Sequence, residues 1–429
     1  MRTRNVSIGL AAVALGTLMV LGTATRAAAQ EEKVIHSFQP SNDGIHPYSA
    51  LILDASGNLY GTASDGGAYG LGTVFEFSPR PAGGWTEKIL HSFNDNDGSK
   101  PLAGLTFDVS GNLYGTTSQG GPHYNGEVFE LVPQPNGKWA EKVLHGFRPA
   151  NTDGNNPYAG LVIDSSGDLY GTTVNGGSGT GCGTAGCGTV FELMPETGGV
   201  WTEAILHNFS QDGTDGQHPE AGLIFDAAGN LYGTTFQGGT GSCSVGSGTA
   251  FELTPAAGGI WTESILYNFG SDSDCADGDG LVAGLTLDAL GNVYGTTYYG
   301  GADALGTAFE LTSAGGGNWS ERVLYSFGDN PTDGYHPYCS PIFDNSGNLY
   351  GTTLYGGAYA GIGVFNSGGT VFKLTNTGGA WTEEVVHSFG SGTDGNAPQA
   401  SLILDHGNLY GTTTGGGTYG DGTVSVIKP

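Results

Sequence analysis

One short string, first met as DASGNLYGTASDGG at residues 54–67, returns in six further variants along this chain of 429 residues. The LYGT or VYGT cores begin at residues 59, 113, 169, 231, 293, 349 and 409, so the spacing is 54 to 62 residues. A period of this size is typical of repeat architectures. Seven near-identical units cannot each hold an independent active site, so the repeat predicts architecture first and chemistry second.

Each unit contains four strand-like segments. In the fourth copy they are AGLIFD at 221–226, NLYGTT at 230–235, GTAFEL at 248–253 and WTESILYNF at 261–269. Apolar residues alternate within these segments with the period of two expected of strands, and no helical period follows the first 30 residues. The Asp-x-x-Gly-Asn stretch between the first two segments predicts a tight hairpin, in which glycine supplies a positive φ.

Four-stranded units at this spacing predict an all-β, seven-bladed β-propeller. A lone fourth strand at 32–38 opens the mature chain, and the last unit lacks one, so we expect the N-terminal strand to close the last blade. A β-solenoid is the alternative, but it gives no reason to divide one unit between two ends. The predicted domain is 30–429, with blade repeats at 48–93, 101–147, 157–209, 219–269, 281–327, 337–389, and 398–428 plus 32–38.

The pattern GNLYGTTxxGG…GTVFEL resembles the GloVer tandem repeat of exported bacterial proteins, over essentially the whole mature chain. The resemblance implies the repeat fold and export. Members of that family carry varied C-terminal anchors, and this sequence departs from them by showing none. The resemblance implies no biochemical role.

The first 29 residues have the layout of a secretory signal peptide, with Arg2 and Arg4 ahead of a short apolar run and small residues before Gln30. An uncleaved N-terminal anchor is the alternative. We therefore expect a secreted or periplasmic monomer with no membrane insertion after cleavage. The net charge of −28 disfavours nucleic acid as a partner.

Tyr48, Tyr158 and Tyr338 each follow a proline at the start of a predicted inner strand, which places them near the central channel. Tyrosine combines a flat apolar ring with a polar tip, which suits stacking on sugars or anchoring a protein. The alternative is that tyrosines only plug glycine-rich loops. Three aspartates of the blade-crossing loops are further ligand-binding candidates, either as an acidic rim or merely as Asp-Gly turns: Asp43, Asp153 and Asp333.

Two aspartate-rich stretches suggest Ca²⁺ as a cofactor, although neither has EF-hand spacing. The candidate ligands are Asp95, Asp97, Asp272, Asp274 and Asp277. Five cysteines fit an oxidising compartment. Cys182 and Cys187 could close one loop, and Cys243 and Cys275 could join two loops on one face; this would leave Cys339 free, and the sequence alone does not fix the pairing.

No catalytic residue is singled out, because the sequence has no G-x-S-x-G elbow, no H-E-x-x-H and no phosphate loop. We expect a binding or interaction module rather than an enzyme, with a polysaccharide or a surface protein as partner. The alternatives are a glycan-active hydrolase or lyase, which needs only two suitably spaced carboxyl groups, and a purely structural cell-surface repeat protein.

Overall fold

The computed structural model describes residues 32–40, 43–149, 152–243, 247–272, 274–330, 332–360 and 368–429. Its regular structure is entirely β, arranged as seven antiparallel blades of four strands. The proposed signal peptide lies outside the described residues. In the part of the chain that the structure does describe, no helix has the length and apolarity needed to cross a membrane.

Each blade runs from an inner strand through two middle strands to an outer strand. Blades 1 to 3 comprise Ile52–Leu53, Leu59–Ala63, Thr73–Pro79 and Trp85–Ser92; Thr106–Phe107, Leu113–Thr117, Glu127–Pro133 and Trp139–Gly146; and Val162–Ile163, Leu169–Thr173, Thr189–Pro195 and Trp201–Asn208. Blades 4 and 5 comprise Ile224–Phe225, Leu231–Thr235, Thr249–Ala256 and Ile260–Asn268; and Thr286–Leu287, Val293–Thr297, Thr307–Gly315 and Asn318–Ser326. Blades 6 and 7 comprise Ile342–Phe343, Leu349–Gly356, Thr370–Thr377 and Ala380–Ser388; and Ile403–Asp405, Asn408–Thr413, Thr423–Ile427 and Glu32–Ser37.

The blades form a closed ring. In every blade the threonine of the LYGT or VYGT string donates its Oγ1 hydrogen to the backbone carbonyl of the residue three positions before the next blade's inner strand. The last of these bonds, Thr412 to the carbonyl of Ser49 at 3.0 Å, joins blade 7 to blade 1. The other six donors are Thr62, Thr116, Thr172, Thr234, Thr296 and Thr352. Glu32–Ser37 pairs with Thr423–Ile427 as the outer strand of blade 7, which confirms the predicted closure.

The recurring string builds the inner hairpin of each blade. In blade 1, Asp54 Oδ1 accepts hydrogen bonds from the backbone N–H groups of Ser56 and Asn58, while Gly57 adopts φ 80°. The glycine of LYGT has a separate reason: a Cβ at Gly61 would lie 2.6 Å from the ring of Phe75. The string is thus required by the turn and by close packing of the inner layer.

Phenylalanines fill the contacts between blades. Phe93, which directly follows the outer strand of blade 1, meets Phe129 of blade 2 with ring centroids 5.1 Å apart, and both are fully buried. The tryptophan that opens an outer strand packs against the LYGT tyrosine of the preceding blade, as Trp139 does against Tyr60. Apolar burial and these edge-on ring contacts hold neighbouring blades together.

The crossing loops and the glycine-rich second loops share one face of the ring, here called the variable face. Short ladders join the two loops in every blade, as where Gly44–Ile45 pairs with Asp65–Gly66 in blade 1. The remaining ladders and bridges are Ser99 with Gln119, Gly154–Asn155 with Asn175–Gly176, Gly216–Gln217 with Gln237–Gly238, Asp279 with Tyr299, Gly334–Pro337 with Leu349–Gly356, and Gly395–Asn396 with Gly415–Gly416.

Candidate ligand-binding site

Seven equivalent positions, here called the throat, surround the central channel on the variable face. Each throat residue lies four positions before the start of an inner strand, and all seven line one cavity of about 350 Å³. They are Tyr48, Leu102, Tyr158, Glu220, Val282, Tyr338 and Gln399. The structure therefore brings the three sequence-predicted tyrosines together, although they come from blades 1, 3 and 6.

The throat differs between copies although its flanks do not. A proline precedes the throat residue in six blades, and an alanine, serine or cysteine follows it in all seven. The throat itself holds three tyrosines, two aliphatic side chains, one glutamate and one glutamine. In a repeat protein the shared positions build the fold, so positions that vary while facing a cavity are the natural place for binding.

Left-handed backbone sets the rim of the cavity. The residue two before each throat position has φ between 53° and 66° in all seven blades, and six of these residues are not glycine. They are His46, Lys100, Asn156, His218, Gly280, His336 and Ala397. The five polar side chains among them bond to a second loop; His218 Nδ1, for example, lies 2.9 Å from the carbonyl of Val174. The conformation costs free energy that the ring contacts offset.

The cavity carries one ion pair and one carboxyl group without an ion-pair partner. Lys100 bonds to Asp65. Burial alone would raise the pKa of Asp65, but the bonds from Lys100 and from the Ser64 hydroxyl outweigh it and hold that pKa below its usual value. Glu220 has no ion-pair partner among the described residues, and burial raises its pKa. Burial also raises the pKa of Tyr338, with the nearby Glu220 carboxyl adding to the effect. The Tyr338 phenol thus stays protonated and able to donate a hydrogen bond.

An aromatic cluster extends from the throat over blades 5 and 6. Tyr298 contacts Tyr338 edge-on with centroids 5.9 Å apart, and its other face stacks on His336 at 4.3 Å and 7°. The remaining members are Tyr299, Tyr335 and Tyr355. In blade 5 the position of Tyr355 holds Tyr299, and outside blades 5 and 6 the positions of Tyr335 and Tyr355 hold no aromatic side chain, so the cluster occupies only one side of the throat.

The predicted aspartates lie elsewhere. Asp43, Asp153 and Asp333 do not line the cavity; each is buried between two blades and bonds to the histidine or tyrosine near the end of the preceding outer strand. The same pair recurs at all seven contacts between blades, here called seams. The pairs are His36–Asp43 at 2.8 Å, His91–Asp97 at 3.5 Å, His145–Asp153 at 3.4 Å, His207–Asp215 at 3.4 Å, Tyr267–Asp277 at 3.1 Å, Tyr325–Asp333 at 2.9 Å and His387–Asp394 at 2.9 Å.

The five sequence-predicted metal ligands do not converge. Asp97 and Asp277 are seam aspartates, so their carboxylates are engaged by the local loop and by His91 or Tyr267. The carbonyl of Asp95 accepts the N–H of Gly121, and Asp272 and Asp274 are exposed. None of the five belongs to a group of three close metal-ligating side chains among the described residues.

The cysteines form two disulfides, Cys182–Cys187 within one loop and Cys243–Cys275 between two loops of the variable face. Cys339 is buried and free, and its sulfur accepts the N–H of Thr352 at 2.9 Å.

Sequence reasoning missed most of the site by counting only tyrosines. Glu220, Leu102 and Gln399 occupy the same slot as Tyr48, and aligning the seven copies on the following small residue would have found them. Lys100 and Asp65 carry no comparable sequence signal, because their pairing depends on the ring bringing adjacent loops together. The seam pairs could have been suspected from the recurrence of His or Tyr six to ten residues before Asp-Gly.

Solved structures support the fold alone. The extracellular domain assigned to a hybrid two-component system of B. thetaiotaomicron is similar with a TM-score of 0.53 at 14% identity; the match covers 92% of this chain but only 42% of that one. A copper-containing fungal alcohol oxidase of the AA5 family has the same TM-score of 0.53 at 13% identity, with 94% and 76% covered. No curated protein sequence matches the chain.

A family model matches nearly the whole chain, at residues 11–185 and 180–425, and its description is the Gloeobacter/Verrucomicrobia repeat. The chain belongs to the Gloeobacter/Verrucomicrobia repeat family.

Proposed function

We propose that this propeller is an exported binding module whose throat takes part of a polysaccharide chain. The observation that carries the proposal is the convergence of Tyr48, Tyr158 and Tyr338 on one cavity from three different repeats. Aromatic rings with polar tips suit the apolar faces and hydroxyl groups of sugars. A rigid ring that holds these side chains in place lowers the ordering cost of binding.

The cavity chemistry favours neutral sugars. A volume of about 350 Å³ lies within the range of small-molecule sites. Phenol hydroxyls, the Gln399 amide and the Glu220 carboxyl offer donors and acceptors, while the chain's charge of −28 repels polyanions. The aromatic cluster on blades 5 and 6 would let a chain leave the throat and continue along Tyr298 and Tyr355.

The experiment is a glycan array probed with the mature protein, with and without EDTA. We expect specific binding by the wild type and its loss in the Tyr48/Tyr158/Tyr338→Leu variant, because Leu102 already fills this slot in blade 2. A Tyr69/Tyr124/Tyr419→Ser variant changes exposed tyrosines that do not line the cavity and is the matched control. A blank array with folded protein would defeat the polysaccharide proposal and leave a surface protein as the partner to test.

A glycan-active hydrolase is the second candidate. It is favoured by two carboxyl groups of the same cavity whose pKa values shift in opposite directions, Glu220 upward through burial and Asp65 downward through Lys100 despite burial. Such a divergence is the pattern of an acid and an ionised partner. If the bound glycan is cleaved, Glu220→Gln should abolish cleavage and retain binding; intact glycan after long incubation would exclude this candidate for that glycan.

A further inference from the structure

A second carboxyl group faces each seam pair. Every outer strand carries a glutamate four residues before its own seam histidine or tyrosine. This glutamate faces the His–Asp or Tyr–Asp pair of the preceding seam, as Glu87 faces His36 and Asp43. The seven are Glu32, Glu87, Glu141, Glu203, Glu263, Glu321 and Glu383. At four seams the histidine nitrogen, the aspartate oxygen and the glutamate oxygen all lie within 4.8 Å of one another.

The seams have more acceptors than donors. His36 Nε2 lies 2.8 Å from Asp43 and 3.7 Å from Glu87, and His145 Nε2 lies 3.4 Å from Asp153 and 3.6 Å from Glu203. One ring N–H serves one carboxylate well, so the second carboxyl is left short of a donor. Six seam glutamates accordingly have a buried Oε1 with no hydrogen-bond partner among the described residues: Glu87, Glu141, Glu203, Glu263, Glu321 and Glu383.

We propose that the seams bind protons on their buried glutamates, and that at the seams of Glu87, Glu203 and Glu263 one proton is held between this glutamate and the aspartate of the crossing loop. A protonated glutamate donates to the aspartate, which replaces a repulsion between two buried carboxylates with a hydrogen bond. The ring is then most stable in mildly acidic surroundings. Its seven seams weaken together as the pH rises.

The titration behaviour agrees with this geometry. Burial raises the pKa of Glu87 to about 9, and the hydrogen bond and charge of Asp43 add to it. Burial also raises the pKa of Glu203 to about 7, although His145 opposes the rise. At the tyrosine-containing seam of blades 5 and 6, burial and the Asp333 charge raise the pKa of Glu383 to about 8. The pKa of Asp153 stays low despite burial, because His145 and a backbone N–H bond to it.

These pKa shifts determine how the folding stability changes with pH. A glutamate with a raised pKa contributes stability that is complete below its unfolded pKa of 4.5 and is lost as the pH climbs through 7 to 9. An aspartate with a lowered pKa contributes stability above its unfolded pKa of 3.8 that is lost as the pH falls further. The combination places the stability maximum between about pH 4 and pH 6.

Other charged groups near the seams do not reverse the expected loss of stability with rising pH. Only Arg148, near Glu203, supplies a basic side chain other than histidine among the groups that shift the glutamates. The groups facing the seven glutamates in chain order are Asp394 and His387; Asp43 and His36; Asp97, His91 and Glu127; Asp153, His145 and Arg148; Asp215, Asp212 and His207; Asp277, Asp272 and Tyr267; and Asp333, Glu384 and Tyr325.

The test is unfolding of the mature protein by urea between pH 4 and pH 10 in EDTA. We expect the wild type to be most stable near pH 5. Glu203→Gln keeps the shape and a donor to Asp153 but cannot ionise, so the roughly 300-fold change in unfolding constant that Glu203 contributes across this range should vanish. Glu196→Gln, at an exposed glutamate, should follow the wild-type curve. Equal stability from pH 5 to pH 9 in the wild type would overturn the proposal.

Two further readouts separate a proton from a metal ion and do not depend on a variant that folds. The wild type at pH 6 should show an infrared band of protonated buried carboxyl groups that disappears by pH 10, and absence of that band would refute the proposal. Addition of Ca²⁺, Mn²⁺ or Zn²⁺ at pH 8 should leave stability unchanged. Stabilisation by one of them in the wild type but not in Glu203→Gln would make the seams cation sites instead.

Discussion

Glu127 is the position at which one substitution should stabilise the whole ring. Six blades carry threonine at the start of the third strand and blade 2 carries Glu127, which is fully buried with both carboxyl oxygens lacking partners among the described residues. Burial raises its pKa to about 9, and the nearby Glu141 and Asp97 carboxyls contribute. In blades 3 to 7 this threonine bonds to the second strand, as Thr189 does to Thr173 at 2.8 Å.

Glu127→Thr should therefore raise the free energy of unfolding. Because the unfolded pKa is 4.5, keeping Glu127 protonated in the folded state at pH 7 costs about 3 kcal/mol, and the cost grows to roughly 6 kcal/mol above pH 9. Below pH 4.5 the glutamate is protonated in both states and this cost disappears. The gain from threonine should thus be small at pH 4 and should rise steadily to pH 9.

Urea denaturation of the wild type and Glu127→Thr at pH 4, 7 and 9 measures this difference. Glu196→Thr, which replaces an exposed glutamate, should change stability little at every pH. A gain that does not depend on pH, or a loss of stability in Glu127→Thr, would show that the carboxyl of Glu127 is not held protonated in the fold.

Three smaller predictions concern the ring and can be checked by the same denaturation assay. Thr412→Val and Thr234→Val should each cost about 1 kcal/mol, since each removes one bond between blades, and a silent Thr412→Val would contradict closure of the ring. Gly61→Ala should cost about 1–3 kcal/mol through contact with Phe75, more than Gly222→Ala, where the backbone needs no positive φ and a Cβ would meet nothing nearer than 3.5 Å; the reverse order would refute the packing argument. Loss of the Cys243–Cys275 bond, which spans 32 residues, should cost about 4 kcal/mol, and loss of the Cys182–Cys187 bond, which spans 5, about 2 kcal/mol; equal costs would contradict the chain-entropy reasoning.

The fold could be predicted because its determinants are local and repeated. The Asp54 turn and the Gly61 contact each depend on a short stretch of sequence that recurs in seven copies. Closure was also predictable, since the strand at 32–38 has no partner except the incomplete last unit. The three throat tyrosines were predicted to lie near the channel, and the cavity lined by all three agrees with that placement.

The remaining site features depend on contacts between repeats. Asp153 reads as an ordinary Asp-Gly turn, and only the ring sets it between His145 and Glu203. Lys100 and Asp65 lie on different blades, and no spacing in the sequence pairs them. Glu220 is one glutamate among many until the structure places it opposite the tyrosines. A contact between residues of different repeats cannot be predicted from the sequence pattern of a single repeat.

The most direct test of the throat as the binding site is a calorimetric titration of the strongest glycan from the array into three proteins. They are the wild type, Tyr338→Leu, and Tyr69→Leu, whose tyrosine is 64% exposed on the same face but outside the cavity. We expect Tyr338→Leu to weaken binding about 30-fold, the loss of a central aromatic contact worth about 2 kcal/mol, and Tyr69→Leu to bind as the wild type does. Unchanged affinity in Tyr338→Leu, or a greater loss in Tyr69→Leu, would place the ligand elsewhere on the ring.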